Sequence, residues 1–261
     1  MEKKMKKLRS FNLWMALLHF GQGIAMLWLA NDFKLPVTSS YLKFDVVTKS
    51  LQPNLENLFS LKVGPLIAIF LFLSSLAHLI VGTVANEWYN KNLSKGTNFA
   101  RWIEYSFSSS IMIIVIAMLV GIYDVGALIL LFVLNATMIL FGWMMELHNQ
   151  ALRQNSGQAT EKVNWTSFVF GCIAGLATWV VIAMYLFGSG DGDNKAPAFV
   201  YWIYFSIFLF FNCFAINQVL QYKKVGGWKD YLYGERAYII LSLVAKSLLA
   251  WQVFAGTLRP V

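Results

Sequence analysis

Two ionisable residues lie inside long apolar stretches, where a charge is costly. Lys246 occupies the middle of "LSLVAKSLLAW", within a run from Ala237 to Leu258 that holds no other charge. Glu104 lies in "TNFARWIEYSFSSSIM". If the first stretch crosses a membrane, its lysine costs roughly 2.5–3.5 kcal/mol even on insertion scales. Such a residue is therefore expected to have a specific partner or a chemical role.

Lysine is the side chain that forms Schiff bases with aldehydes, and a desolvated site favours the neutral amine that attacks the carbonyl. A protonated Schiff base then needs a fixed anion. A carboxylate of Glu104 at ~4 Å would stabilise it by about 4 kcal/mol at an effective dielectric of 20. The alternative is a plain structural Lys–Glu ion pair, which apolar residues could often replace without loss of stability. The two residues alone leave both interpretations open.

The composition indicates a membrane protein. The chain has 261 residues, 58% hydrophobic and 13% charged, with mean hydropathy +0.57, whereas soluble domains are about 25% charged. Seven segments reach the ~20 residues that a helix needs to cross a bilayer. We therefore predict an all-α membrane protein, a seven-transmembrane-helix bundle forming one domain over residues 1–261. The predicted spans are 10–31, 63–85, 98–123, 125–146, 163–188, 197–222 and 236–258.

Basic residues predict the orientation, because lysine and arginine are retained on the cytoplasmic side. Six basic residues fall on the side opposite the N-terminus, namely Lys34, Lys43, Lys49, Lys62, Lys195 and Arg259. Fourteen fall on the side of the N-terminus: Lys3, Lys4, Lys6, Lys7, Arg9, Lys91, Lys95, Arg101, Arg153, Lys162, Lys223, Lys224, Lys229 and Arg236. We expect a multi-pass protein of the cell membrane with a cytoplasmic N-terminus and an extracellular C-terminus. The basic residues are spread over short loops, so we expect lipid and no nucleic acid as partner.

The longest loop, residues 32–62, then lies outside. Its segment "LPVTSSYLKFDVV" is rich in β-branched and aromatic residues after a proline, which favours a short β-ribbon. A flexible connector is an equally open alternative. The turn "YDVG" after span three is too short for anything except two adjacent antiparallel helices.

The spacing predicts where the two ionisable residues meet. Thr97 or Asn98 can cap the third span, which places Glu104 roughly 9 Å inside the helix. Lys246 lies ~15 Å from the cytoplasmic end of the last span, with Ser242 one turn before it. Both therefore lie in the cytoplasmic half. The residues that share the face of Glu104 are Tyr105, Ser108, Ser109 and Met112.

A long apolar cofactor also needs a binding pocket lined by apolar side chains. Phe208 and Phe211 of "FVYWIYFSIFLFFNCF" are candidates for it, although packed or lipid-facing aromatics are the commoner explanation of such a stripe. Further candidates are Met112, Asn135, Met138, Trp143 and Trp251.

Two histidines lie inside predicted spans. His19 shares a helix face with Gln22, and His78 shares one with Ser75. Polar residues in spans often only bridge helices. Near a Schiff base, however, two histidines could hold or shuttle its proton, and the residues leave this choice open.

Six segments resemble the heliorhodopsins, a microbial rhodopsin family of inverted topology. They are "ALLHFGQG", "SLAHLIVG", "RWIEYSFSSSIMI", "NATMILFGW", "FGCIAG" and "GERAYIILSLVAKSLLAWQVFAGTL", and the resemblance runs from about Phe11 to Leu258. It implies all-trans retinal bound covalently to Lys246, Glu104 as the single counterion, and a polar cavity involving His19 and His78. It also implies dimers to which the first external loop contributes. Positions that it places around the chromophore or the neighbouring cavity are Tyr105, Ser109, Asn135, Met138, Gln218 and Ser242.

Helix three separates this chain from rhodopsins that pump protons. Such pumps have an acid, a threonine four residues later and a second acid eleven residues later, where this chain has Glu104, Ser108 and Val115. They also have an aspartate at the position of Ser242. With a single intramembrane carboxylate, a proton relay has no second acidic group to receive the proton. We therefore expect a photosensor and not an enzyme, acting through an unidentified cytoplasmic signalling partner. A light-gated or light-driven ion transporter, or a membrane protein without chromophore, are the alternatives.

Overall fold

The computed structural model describes residues 2–155, 163–188 and 195–258. Seven long helices and one short helix make up most of this described part of the chain. The helices are α1 (Glu2–Leu29), α2 (Val63–Gly82), α3 (Asn86–Ser94), α4 (Phe99–Leu119), α5 (Val125–Asn155), α6 (Thr166–Gly188), α7 (Ala198–Tyr222) and α8 (Tyr231–Val253). A 3₁₀ turn (Gly226–Lys229) precedes α8, and a π-helical turn (Phe254–Leu258) follows it. The predicted all-α bundle is confirmed.

Within the described ranges, six helices are long and apolar enough to cross a membrane: α2, α4, α5, α6, α7, and α8 with its π-helical end. The first helix is not among them, although its 28 residues exceed the length that a bilayer requires. Asn12, His19 and Gln22 interrupt its apolar residues. Polar residues at these positions need partners inside the bundle.

Some helices extend past the predicted spans. The first begins at Glu2 instead of residue 10, because its lysines are good helix formers and Lys6 pairs with Glu2 at 2.8 Å one turn away. The fifth continues to Asn155 instead of ending at 146. The uncharged runs mark the apolar part of a helix, and the helix itself can continue beyond it.

The helices pack in a ring. In chain order α1 contacts α2, α2 contacts α4, α4 contacts α5 and α5 contacts α6, while α7 packs against α8 and α8 against α1. The "YDVG" turn does place α4 and α5 side by side, as predicted. Between α6 and α7 the contact is aromatic, since the Trp179 ring lies 5.3–5.5 Å from the rings of Tyr204, Phe208 and Phe211.

The first loop is a two-stranded antiparallel ribbon of β1 (Lys34–Asp45) and β2 (Ser50–Lys62). The ribbon, and not the flexible connector, is therefore correct, and it is longer than the predicted segment. Thr38 anchors its base by donating from its backbone N–H to the Tyr123 carbonyl at 2.9 Å. At the tip, the Asp45 side chain accepts from the backbone N–H groups of Val47 and Thr48.

The outer half of the ribbon has one apolar face. In the strand register, Phe44 pairs with Leu51, Leu42 with Pro53 and Ser40 with Leu55. Because side chains alternate along a strand, the four large apolar residues of these pairs lie on the same face. We call Leu42, Phe44, Leu51 and Leu55 the ribbon face; each is between 57% and 72% exposed. The opposite face carries the polar residues Ser39, Tyr41, Lys43, Gln52, Asn54 and Glu56.

Two buried apolar clusters lie at the two ends of the bundle. The larger one includes Ile67, Met112 and Leu249, and the smaller one includes Leu8, Val81 and Ile239. On α2 and α4 the buried polar residues lie between these two groups along the chain, and on α8 Ser242 does. The bundle therefore has a polar layer enclosed at both ends by apolar packing.

Candidate functional site

Lys246 and Glu104 contact each other in this polar layer. Lys246 Nζ lies 2.8 Å from Glu104 Oε1, and the two side chains are only 3% and 9% exposed. Lys246 Nζ also donates to Ser242 Oγ at 2.8 Å, across one turn of α8. Ser74 Oγ on α2 donates to Glu104 Oε1 at 2.6 Å. The amine is therefore held by groups from α4 and α8, and the carboxylate by groups from α2 and α8.

The position of Glu104 follows from the start of α4. The Asn98 side chain caps this helix by accepting from the Arg101 backbone N–H at 3.0 Å, as the sequence predicted for Thr97 or Asn98. One turn after Arg101, Glu104 faces into the bundle. Its neighbour Tyr105 donates its hydroxyl to the Tyr238 carbonyl at 2.9 Å, which ties α4 to α8 beside Lys246.

A long apolar cavity extends from Lys246. The space inside it, including its solvent-open mouth, is about 820 Å³. Lys246 and Ser242 are among its polar lining residues, while most of the wall is aromatic or aliphatic. Further lining residues are Trp102, Met112, Met138, Phe211 and Phe214. A cavity with one reactive amine and apolar walls fits a long apolar aldehyde such as retinal.

Most of the residues predicted around the cofactor line this cavity. Tyr105, Ser109, Met112, Met138, Phe211 and Ser242 do so, and so does Gln218, which was predicted for the proton cavity. Asn135 instead supports the wall, since its amide donates to Ser109 Oγ at 2.8 Å and Ser110 Oγ at 3.0 Å. Three aromatic candidates lie elsewhere: Phe208 packs on Trp179, Trp143 on Phe99, and Trp251 on Phe254.

A second, smaller cavity lies on the other side of Glu104. His78, Asn98, Arg101, Glu104 and Glu235 are among its lining residues. Its wall carries far more ionisable and amide groups than that of the long cavity.

The five residues predicted for a proton cavity are only partly brought together. His78 lines the second cavity and bonds Asn12 Oδ1 through Nδ1 at 2.8 Å. His19 stacks on His78 with ring centroids 5.7 Å apart, and neither of its ring nitrogens has a hydrogen-bond partner among the described residues. Gln22 instead accepts from Trp251 Nε1, and Ser75 donates to the Ala16 carbonyl. The serine that contacts Glu104 is Ser74, the neighbour of the predicted cavity residue Ser75.

The expectation of a single intramembrane carboxylate is wrong. Glu146 on α5 and Glu235 on α8 are buried, and both bond the guanidinium of Arg101. Glu146 is the last residue of the predicted span 125–146 and Glu235 lies just before the span 236–258, so the sequence analysis did not count either as an intramembrane acid. The signal that could have revealed them is Arg101 itself, because a basic residue in the first turn of a buried helix requires acidic partners.

Gly142 allows Trp102 to form part of the cavity wall. A Cβ at this position would lie 2.4 Å from the Trp102 ring, and Trp102 Nε1 is fixed by a 2.7 Å hydrogen bond to Glu146. Gly142→Ala should therefore overpack the site and lower the free energy of unfolding by ~1–3 kcal/mol. Gly21→Ala is the matched control, since a Cβ there meets nothing within 4 Å. Equal melting temperatures of the two variants would refute the close packing of Trp102.

The comparisons with known proteins identify the family of this chain. The model of the heliorhodopsin family matches residues 8–258. Among solved structures, the chain is similar to "Crystal structure of a light-driven proton pump LR (Mac) from Leptosphaeria maculans". That likeness has a TM-score of 0.63 at 13% identity, over 97% of this chain and 94% of that chain, so it shows a shared fold only. No curated protein matches the sequence. Because the family match covers nearly the whole chain, the protein belongs to the heliorhodopsins, a family of multi-pass, light-sensing retinal proteins.

Proposed function

We propose that the protein is a light sensor in which Lys246 carries all-trans retinal as a Schiff base and Glu104 is its counterion. The observation that supports this most strongly is the contact of Lys246 Nζ with Glu104 Oε1 at 2.8 Å, beside a long apolar cavity. When bound, retinal would supply light absorption and photoisomerisation. The family is not one of classical enzymes, and the signal would be a change of conformation.

The protein's own residues have three tasks in this proposal. Glu104 balances the positive charge on the Lys246 nitrogen. Ser74 fixes the position of Glu104 by a hydrogen bond, and Ser242 does the same for Lys246. The apolar walls exclude water, which strengthens that interaction. His78, on the second cavity next to Glu104, can receive a proton that leaves the nitrogen. A moved proton changes the charges between α2, α4 and α8, and this change would shift the helices towards the signalling state.

The absence of transport is part of the proposal. The position of the pumps' second acid holds Val115, which is buried in the larger apolar cluster. The alternative, light-driven or light-gated proton transport, is favoured by one observation: Glu235 lines the same cavity as Glu104. A proton relay would therefore have a second carboxylate within reach.

Photocurrents distinguish the two functions. In voltage-clamped cells supplied with retinal, we expect no sustained light-dependent current at any voltage, with Lys246→Ala as the blank. A sustained current above that blank would contradict the sensor proposal and support transport.

We further propose that the N-terminus is cytoplasmic and the C-terminus extracellular, in the cell membrane. The support is the excess of basic residues on the N-terminal side, fourteen against six. An unidentified signalling partner would then meet the cytoplasmic loops, and the ribbon would lie outside.

We also propose a homodimer in which a second copy covers the ribbon face. Exposed apolar patches of this kind usually mark interaction sites, and no described residue of this chain covers it. Replacing Leu42, Phe44, Leu51 and Leu55 with serine should turn a dimer into a monomer, as measured by light scattering of purified protein. The matched control replaces Lys43, Gln52 and Asn54 on the polar face with alanine and should leave the dimer intact. A dimer that survives the serine substitutions would show that the ribbon face is not its interface.

A further inference from the structure

A second group of buried charges lies near the start of α4. Arg101 Nη2 donates to Glu146 Oε1 at 2.5 Å, and Arg101 Nη1 donates to Glu235 Oε1. The three side chains are at most 3% exposed. The guanidinium also lies 4.4 Å from the Trp102 ring centroid and 4.0 Å from that of Tyr238. The site therefore holds two carboxyl groups and one cation inside the bundle.

The charges of this group do not balance if both acids are ionised, because the sum is then minus one. The ionisable side chains that face it are His78 on α2, Tyr89 on α3, Glu104 and Tyr105 on α4, Tyr222 on α7, and Tyr231 and Tyr238 on α8. Tyrosines are neutral near pH 7, a buried imidazole favours its neutral form, and Lys246 is paired with Glu104. Arg153, further along α5, is exposed. None of these described residues supplies the second positive charge, and an unbalanced buried carboxylate takes up a proton instead.

The hydrogen bonds indicate which acid would hold that proton. Glu146 accepts from four donors: Arg101, the Asn98 backbone N–H, Trp102 Nε1 and the Tyr231 hydroxyl. Four donors are what a carboxylate requires. Glu235 accepts from Arg101 and from Asn98 Nδ2, with only a long 3.5 Å contact from Gln221 Nε2.

Gln221 provides the acceptor that a protonated acid needs. Its Oε1 is buried and has no hydrogen-bond partner among the described residues, while its Nε2 donates to the Tyr231 carbonyl at 3.1 Å and makes the long contact with Glu235. A protonated carboxyl is a donor, so an O–H on Glu235 would satisfy this oxygen once the amide turns over, at the expense of the bond from Nε2 to the Tyr231 carbonyl. We propose that Glu146 and Glu235 together hold one proton, with Glu235 as the protonated member.

This proton-binding site borders the second cavity, which Glu104 also lines. Glu235 and Arg101 line the second cavity together with Glu104 and His78, whereas Glu146, which accepts more hydrogen bonds, is not among its lining residues. A role for this proton in the response to light rests on the proposed function. Its presence in the dark does not rest on that function, because it follows from the charges of the buried group.

Infrared spectroscopy of the full chain, labelled with ¹³C-carboxyl glutamate, tests the proposal at neutral pH in the dark, with and without retinal. We expect the carbonyl band of a protonated glutamic acid that moves with the label and in D₂O. Glu235→Gln and Glu146→Gln should each abolish it, because the one remaining carboxylate then balances Arg101. Glu87→Gln, an exposed control on α3, and Glu104→Gln should both retain it.

Three results would overturn the proposal. One is a native protein without any such band, a measurement that needs no variant to fold. The second is a band that survives both Glu146→Gln and Glu235→Gln. The third is a band that disappears in Glu104→Gln. Since the same band is expected in protein without retinal, failure of the photosensor proposal would leave this result unaffected.

Discussion

Lys246→Ala, produced in the presence of all-trans retinal, should be a folded protein with no visible pigment. Among the described residues, Lys246 is the only lysine on the wall of the long cavity, so its removal leaves no amine on that wall to form the proposed covalent bond. The absorption band should fall to background, whereas Lys91→Ala, an exposed lysine on α3, should keep full colour. Absorbance after purification measures both.

A colourless product has to be distinguished from a misfolded one. Removal of one partner of a buried ion pair can destabilise a protein by ~3–5 kcal/mol, so helix content should be checked by circular dichroism. Supplying a preformed Schiff base of retinal and a small alkylamine should then restore colour to Lys246→Ala, because the cavity is intact. Normal colour without this addition would refute the assignment of Lys246.

Glu104→Gln should greatly lower the pH at which the Schiff base of the pigment loses its proton. The carboxylate at 2.8 Å is the anion closest to the Lys246 nitrogen. An ion pair at ~4 Å contributes about 4 kcal/mol at an effective dielectric of 20, equal to roughly three pH units. Because the anion stabilises the protonated form, its loss shifts the titration midpoint downwards. If a solute anion replaces it, the absorption maximum should move to the red instead.

A titration of visible absorbance against pH, at low and at high chloride, separates these two outcomes. Glu87→Gln serves as the control, since this exposed carboxylate lies outside the cavities, and it should titrate like the native protein. A Glu104→Gln pigment with both its colour and its titration unchanged would mean that another group is the counterion.

The principal contact was predictable because it follows from helix geometry. The cap at Asn98 sets the depth of Glu104, and the length of the last apolar run sets the depth of Lys246. Two opposite charges at the same depth in a membrane bundle are expected to pair, because an unpaired charge there is costly. The ring of helices and the adjacency of α4 and α5 were predictable for the same reason, from run lengths and a short turn.

The surrounding details depend on packing that a sequence does not display. Ser74 and Ser75 are adjacent, and only the rotation of α2 about its axis decides which one reaches Glu104. Glu146 and Glu235 were overlooked because they lie at the borders of the predicted spans 125–146 and 236–258, whereas both helices carry these acids inside the bundle. Phe208 and Phe211 lie one turn apart on α7, yet only Phe211 lines the cavity.

The covalent bond itself is tested most directly by mass spectrometry of the pigment after reduction with borohydride. Reduction converts a Schiff base into a stable secondary amine, and proteolysis then locates the modified residue. We predict a retinyl adduct on the peptide that contains Lys246 and on no other lysine. An unmodified Lys246, in pigment whose colour is lost on reduction, would contradict the account.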